Sequence, residues 1–118
     1  MHTTVFLTIF ILKKDKGTFS LVFLNLSQQD IVHLDLKPEN VLLTSPDSLR
    51  VKIIDFGLAK KLNENQEVTR VLQGTPEFVP PEIVNYDPIG FPSDMWSIGI
   101  MTFVILTGLS PFLGKIKY

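Results

Sequence analysis

Residues 33–40 read HLDLKPEN, and after two short apolar runs residues 55–57 read DFG. The runs between them are Val41-Leu42-Leu43 and Val51-Lys52-Ile53-Ile54, and residues 45–48 (SPDS) are a turn signal. Strand-like runs on either side of such a turn predict a β-hairpin. If Leu43 pairs with Lys52, the same register sets Asn40 opposite Asp55 at the open end. Directly opposed residues hold their Cβ atoms about 4.5–5.5 Å apart, close enough for an amide oxygen and a carboxylate to share a cation. Magnesium favours hard oxygen ligands and usually takes only one or two from protein, with phosphates and water completing its shell. The inferred register therefore predicts half of a magnesium site. Asp35 lies in the preceding loop, held out of helix by Pro38, where it reaches the same metal without ligating it, as a general base must. Lys37 offers its charge to a phosphate in transfer. Taken singly, aspartate and asparagine beside strands are ordinary turn formers. Their joint spacing is what points to chemistry.

The rest of the chain frames that hairpin. A length of 118 residues gives room for one domain. Apolar residues at 45% suffice for a core, and a net charge of −1 gives no electrostatic reason to bind nucleic acid or an acidic membrane. With no cysteines, disulfides, cysteine-ligated zinc and thiol catalysis are excluded, in keeping with a cytoplasmic or nuclear setting. Residues 3–12 (TTVFLTIFIL) are apolar, but the lysines follow the run instead of preceding it, unlike a signal peptide. The run is also too short for a bilayer, which needs about 20 residues. Residues 1–30 are read as a hydrophobic leader, with the end of a helix possible in 19–26, and 31–118 as the domain. Residues 63–73 are polar and predict a surface loop. Pro76, Pro80 and Pro81 are expected to keep the next stretch out of regular helix. A helix is expected from Ser93, a good N-cap, to a stop at Gly108. Its residues are apolar on nearly every face, so it is expected to be buried all round.

These segments resemble, in order, the signatures of the protein kinases: HLDLKPEN (33–40), DFG (55–57), GTPEF (74–78), PPE (80–82) and DMWSIG (94–99). The wording IVHLDLKPEN, IIDFGLA and GLSPF is most similar to the death-associated and myosin light chain kinase branch of the calmodulin-dependent kinase group. The resemblance covers about residues 31–114. It implies an α+β, partial protein-kinase-like fold, mainly the helical C-terminal lobe with a catalytic-loop β-hairpin and no N-terminal lobe. It also implies ATP and magnesium as cofactors and a protein serine or threonine as acceptor. Calmodulin would bind through regions outside these residues, and an apoptotic or cytoskeletal role would follow from the branch alone.

Carried over by position, the resemblance makes Asp35 the acceptor of the substrate hydroxyl proton and sets Lys37 on the γ-phosphate. Lys37, Glu39, Asn40 and Asp55 would face the nucleotide, with Asn40 and Asp55 holding the metal. Residues 55–82 would be the activation segment, with Gly74 and Thr75 seating the substrate. Asp94 would brace the catalytic loop by accepting backbone hydrogen bonds.

The departures carry meaning too. Leu34 stands where most of the family has an arginine that binds an activation-segment phosphate, so phosphorylation there is expected to be dispensable. Pro81 is the family's proline, and Pro80 replaces the alanine before it. Glu82, whose usual arginine partner lies in a later helix, is expected to be alone and exposed. Residues 1–118 contain no glycine-rich phosphate loop and no V-A-I-K strand. The expected function is ATP-dependent transfer to serine or threonine by a truncated domain that is inactive alone. The alternatives are a non-catalytic fragment that binds or competes, and a product whose uncovered apolar helix prevents folding.

Overall fold

The computed structural model describes residues 26–45, 51–62 and 69–112. The apolar run at 3–12, most of the run at 19–26, the turn residues 46–48 and the polar stretch 63–68 lie outside them. Residues 26–28 are helical, closing with the Gln29 and Asp30 amides on the Leu26 and Ser27 carbonyls.

Two small antiparallel sheets follow. Strand β1 (Ile31–Val32) pairs with β4 (Lys60–Lys61). Strand β2 (Val41–Leu43) pairs with β3 (Val51–Ile53), and a single 3-10 turn at Pro38–Asn40 leads into it. The expected hairpin is present, but its register is one residue off the expected one. Val41 faces Ile53, Leu42 faces Lys52 and Leu43 faces Val51. Alternation along the strands accounts for this: Val41, Leu43 and Val51 pack on the core and Ile53 is partly buried, while Leu42 and Lys52 share the exposed face. Pairing Leu43 with Lys52 would have turned the lysine inward. Asn40 consequently lies beside Ile54, whose amide donates to the Asn40 carbonyl at 2.9 Å. Asn40 and Asp55 are not the directly opposed pair.

Helix α1 (Pro81–Val84) is one turn long and begins on a proline. Pro81 starts helix instead of preventing it, because the first helical position needs no N–H donor. Helix α2 (Phe91–Thr107) has 17 residues, about 26 Å of axis. No helix among the described residues is long and apolar enough to cross a membrane. Helix α2 begins earlier than expected: Gly90 is the N-cap, and Ser93, at the third helical position, reaches back to accept the Gly90 amide at 3.3 Å. Its end is where the sequence placed it. Gly108 takes a φ of 70° and donates its amide to the Val104 carbonyl at 2.8 Å.

Helix α2 is not buried all round. One stripe (Ser93, Asp94, Ser97, Ile100 and Met101) is buried, and Met95, Trp96, Phe103 and Leu106 are exposed. Ile100 and Met101 join Val41 and Phe78 in one core cluster, which draws in the hairpin. A second cluster gathers Val32, Leu34, Ile83 and Ile89, with Leu62, Val71, Val79 and Phe91 against it. Between them these clusters fix the 33–40 loop from both sides.

Candidate active site

His33 and Leu34 sit at the root of the loop, and α2 holds them there. The Asp94 carboxylate accepts the His33 amide at 2.8 Å and the Leu34 amide at 2.9 Å, one on each oxygen. Asp94 is fully buried. Burial pushes its pKa up, and the two backbone hydrogen bonds and the neighbouring His33 recover part of that cost. The loop needs this clamp because Leu34 takes a φ of 65°, in the left-handed region that leucine avoids. Its side chain repays the strain by entering the second core cluster.

The His33 ring is enclosed as well. Its Nδ1 accepts the Asp35 amide at 3.3 Å, which leaves Nε2 to carry the hydrogen and donate to the Ile54 carbonyl at 3.2 Å. Phe56 meets the ring edge-on, with centroids 4.9 Å apart. The histidine thus ties the 33–40 loop to the residues flanking Asp55.

Asp35 follows, nearly buried, at the centre of a polar knot. Its Oδ1 accepts the Thr75 hydroxyl at 2.6 Å; its Oδ2 lies 3.1 Å from Lys37 Nζ and 3.3 Å from Asn40 Nδ2. Lys37 Nζ also donates to Thr75 Oγ1 at 2.9 Å, and Asn40 Nδ2 to the Asp35 carbonyl at 2.9 Å. Burial alone would raise the Asp35 pKa. The hydrogen bonds from Thr75, Lys37 and Asn40, with the lysine's charge, outweigh it and hold the carboxyl below its ordinary value of 3.8. Asp35 is ionised at neutral pH.

Asp55 stands apart from this knot. It is exposed, adopts a φ of 60°, and accepts the Gly57 amide on Oδ1 at 3.2 Å. Aspartate is one of the few residues that tolerate this left-handed conformation. The Asn40 nitrogen is committed to Asp35, so the carboxamide oxygen is its metal-competent atom. Among the described residues no group of three or more histidine, cysteine or acidic side chains could hold a metal. One carboxylate and one amide oxygen suit a magnesium ion that takes its remaining ligands from phosphate and water, and that donor chemistry fits a nucleotide-borne metal. Glu39 is exposed at the same turn.

Gly74 crosses directly over the loop. A Cβ there would lie 3.3 Å from the Leu34 carbonyl oxygen, and its φ of 119° suits glycine alone. Gly74→Ala is expected to lower stability by about 1–2 kcal/mol, read as a shift in the urea midpoint at constant slope. Glu82, expected to be alone and exposed, is neither: it is half-buried and accepts the Ser93 hydroxyl at 2.6 Å.

Residues 20–118 match the family described as "Protein kinase domain". The chain belongs to the protein kinase family. It is 57% identical over 93 residues to serine/threonine-protein kinase 17A of Oryctolagus cuniculus, covering 78% of this chain and 23% of that protein. It is 54% identical over 87 residues to smooth muscle myosin light chain kinase of Gallus gallus, covering 74% of this chain and 4% of that one. Myosin light chain kinase family member 4 of Homo sapiens is 52% identical over 90 residues, 76% of this chain and 23% of its own length. The kinase branch expected from the sequence is the one these relatives occupy, and the chain spans less than a quarter of their length.

Within this kinase chain His33 and Ser97 have roles that the sequence analysis does not assign, and Ser93, expected only as an N-cap, has a second one. His33 links both loops. Ser93 holds Glu82, and Ser97 donates to the Phe78 carbonyl at 2.9 Å. Two serines one turn apart, flanking Asp94 in a largely apolar helix, are the available signal.

The Asp35 knot sets an acid limit. Because the folded pKa is depressed, the knot's stabilisation is complete above 3.8 and is lost as pH falls below it through the folded value. Thr75→Val removes one hydrogen bond to the carboxylate, so its acid unfolding should begin at higher pH than the parent's, by far-ultraviolet circular dichroism. Asp94 contributes with the opposite sign and is unchanged between the two, so the comparison isolates Asp35.

Proposed function

We propose that this chain supplies the catalytic loop, metal-binding residues and substrate seat for ATP-dependent phosphoryl transfer to serine or threonine hydroxyls of protein substrates. The observation that carries the reading is Thr75: a hydroxyl already sits between the Asp35 carboxylate and the Lys37 ammonium. A substrate hydroxyl held against the same carboxylate would give up its proton to Asp35 as its oxygen attacks phosphorus. Lys37 would neutralise the charge that develops on the transferred group. ATP with magnesium, when bound, supplies the phosphoryl group and the charge neutralisation of its phosphates. Asn40 and Asp55 would hold the metal, and Lys37 and Glu39 would face the nucleotide.

The 118 residues correspond mainly to the C-terminal lobe in this reading. They lack a glycine-rich loop and a V-A-I-K lysine, and positioning makes up most of phosphoryl-transfer catalysis. Activity is therefore proposed to need an upstream lobe, and the chain alone acts at most as a binding or competing module. Leu34 also favours activity without a phosphate on the activation segment. Its side chain belongs to the buried cluster against which Leu62, Val71 and Val79 pack, an apolar arrangement in place of an arginine–phosphate pair. The setting is cytoplasmic or nuclear, and calmodulin would act through other regions.

The test is magnesium-dependent phosphate transfer to a serine peptide. It compares the chain alone with the chain joined to a complete upstream lobe, both unphosphorylated in residues 55–82. Transfer by the joined protein, abolished by Asp55→Asn, is the expected result. No transfer by either protein counts against the kinase reading; transfer only after phosphorylation counts against the role given to Leu34.

A further inference from the structure

Asp55 and Thr75 sit on two stretches of chain that converge on the site from opposite ends of residues 55–82, and one side chain bridges them. Gln73 Nε2 donates to the Leu58 carbonyl at 2.7 Å. A carbonyl oxygen only accepts, so the nitrogen of the carboxamide is the atom that faces it. Among the described residues no backbone hydrogen bond crosses between 55–62 and 69–82. The Leu62 amide goes to Asp30, β4 pairs with β1, and the Thr69 carbonyl accepts Ile89. The carboxamide therefore joins two segments that the backbone leaves apart.

Each end of this bond leads into the chemistry already described. Leu58 lies three residues after Asp55, whose carboxylate accepts the Gly57 amide at 3.2 Å. Gln73 precedes Gly74, which passes over the Leu34 carbonyl, and Thr75, whose hydroxyl meets both Asp35 and Lys37. A shift of the backbone at 73–75 would draw that hydroxyl away from both partners. Leu62, Val71 and Val79 hold the same stretch by packing on the second core cluster. Apolar burial has no direction and tolerates sliding, whereas a hydrogen bond fixes a distance and an angle. Gln73 is half-buried and neutral, so the bond forms without desolvating a charge.

We propose that Gln73 is a positioning residue for the substrate seat: its carboxamide, tied to Leu58, sets residues 74–78 in place relative to the Asp55 side of the site. The proposal rests on the kinase reading and adds how the seat is held with no phosphate in residues 55–82. Gln73 acts through Leu58 and Thr75 and takes no part in the transfer.

Two measurements test it. Ala59 is the chain's single alanine, and its amide nitrogen belongs to the peptide group whose carbonyl accepts Gln73. Gln73→Met keeps the length of the side chain and lacks the donor. In the 118-residue chain with isotopic nitrogen in alanine and no peptide present, this variant should move the one labelled amide signal. In the chain joined to an upstream lobe, unphosphorylated in residues 55–82, it should raise KM for a serine peptide up to about fivefold, the worth of one neutral hydrogen bond. Its kcat and its KM for ATP should stay within about twofold of the parent's. Gln73→Glu, with the same shape but only acceptors to turn to the carbonyl, should raise the peptide KM further.

Gln73 also lines an apolar cleft of about 360 Å³ with Leu72, Gly74, Pro76, Val79 and Val84, so direct contact with the peptide is the rival explanation of a KM effect. A KM rise with the Ala59 signal unmoved assigns the effect to that contact and overturns the tie. A moved signal with the peptide KM changed less than about twofold makes the bond structural only and overturns the positioning role. Either result leaves the kinase reading standing, whereas no transfer by the joined parent overturns both.

Discussion

Asp94→Asn should lower the unfolding free energy by about 3–5 kcal/mol, the largest stability effect expected of any single side chain described. The carboxylate offers one oxygen to the His33 amide and the other to the Leu34 amide. Asparagine has nearly the same shape but only one acceptor. Its NH2 group would point at a backbone N–H, leaving two donors facing each other in a fully buried place. The damage would not stay local. The left-handed backbone at Leu34 is held only while both amides are satisfied, and releasing it withdraws the leucine from its cluster. Urea unfolding measures the loss directly, provided the slope is unchanged. A midpoint within about 0.5 kcal/mol of the parent's, the usual range for an uninvolved surface site, would show that the clamp carries no weight.

Helix α2 also shows which parts of the fold were legible. Its existence and its glycine stop followed from apolar content and from Gly108. Its buried face did not, because composition inverts the usual rule here. The polar residues Ser93, Asp94 and Ser97 point inward and hold the Glu82 carboxylate, the His33 and Leu34 amides and the Phe78 carbonyl. The large apolar residues Met95 and Trp96 point outward. An apolar-periodicity argument cannot find such a face, because the side chains on it are selected for loops that lie far away in sequence. The one-turn helix at Pro81 was missed for a smaller reason: a proline stops a helix it falls inside and starts one it opens.

The hairpin illustrates a different limit. Two strands and a turn are visible in the sequence, but the register that sets Asn40 opposite Asp55 is not the one adopted. The alternation in Val51-Lys52-Ile53 already argued for pairing Lys52 with Leu42, since only then does the lysine stay in solvent. Burial of Val41, Leu43 and Val51, and not the pairing of metal-competent side chains, sets the register. The partner of Glu82 was beyond the reach of sequence for another reason. Nothing in residues 80–82 indicates that a serine eleven positions on will turn its hydroxyl back to the carboxylate.

For the chemistry itself, Asp35→Asn should reduce kcat about 10²- to 10⁴-fold in the chain joined to an upstream lobe, with little change in KM for the peptide. The asparagine keeps the volume of the side chain, and its oxygen still accepts the Thr75 hydroxyl that now donates to Oδ1. Its NH2 group takes the place of Oδ2, where Lys37 and Asn40 both present donors, so the knot loosens on that side. What the variant lacks entirely is a site for the substrate's proton. The carboxylate is ionised at neutral pH because Thr75, Lys37 and Asn40 outweigh its burial, so the parent is ready to accept without first losing a proton. A merely structural aspartate would give a different pattern, with KM rising in step with any fall in kcat. Thermal unfolding of the variant, measured beside the kinetics, establishes that it is folded at the assay temperature. A loss smaller than tenfold in a folded variant would remove Asp35 from the role of proton acceptor and leave the Thr75–Lys37–Asp35 contacts as a strut for the substrate turn.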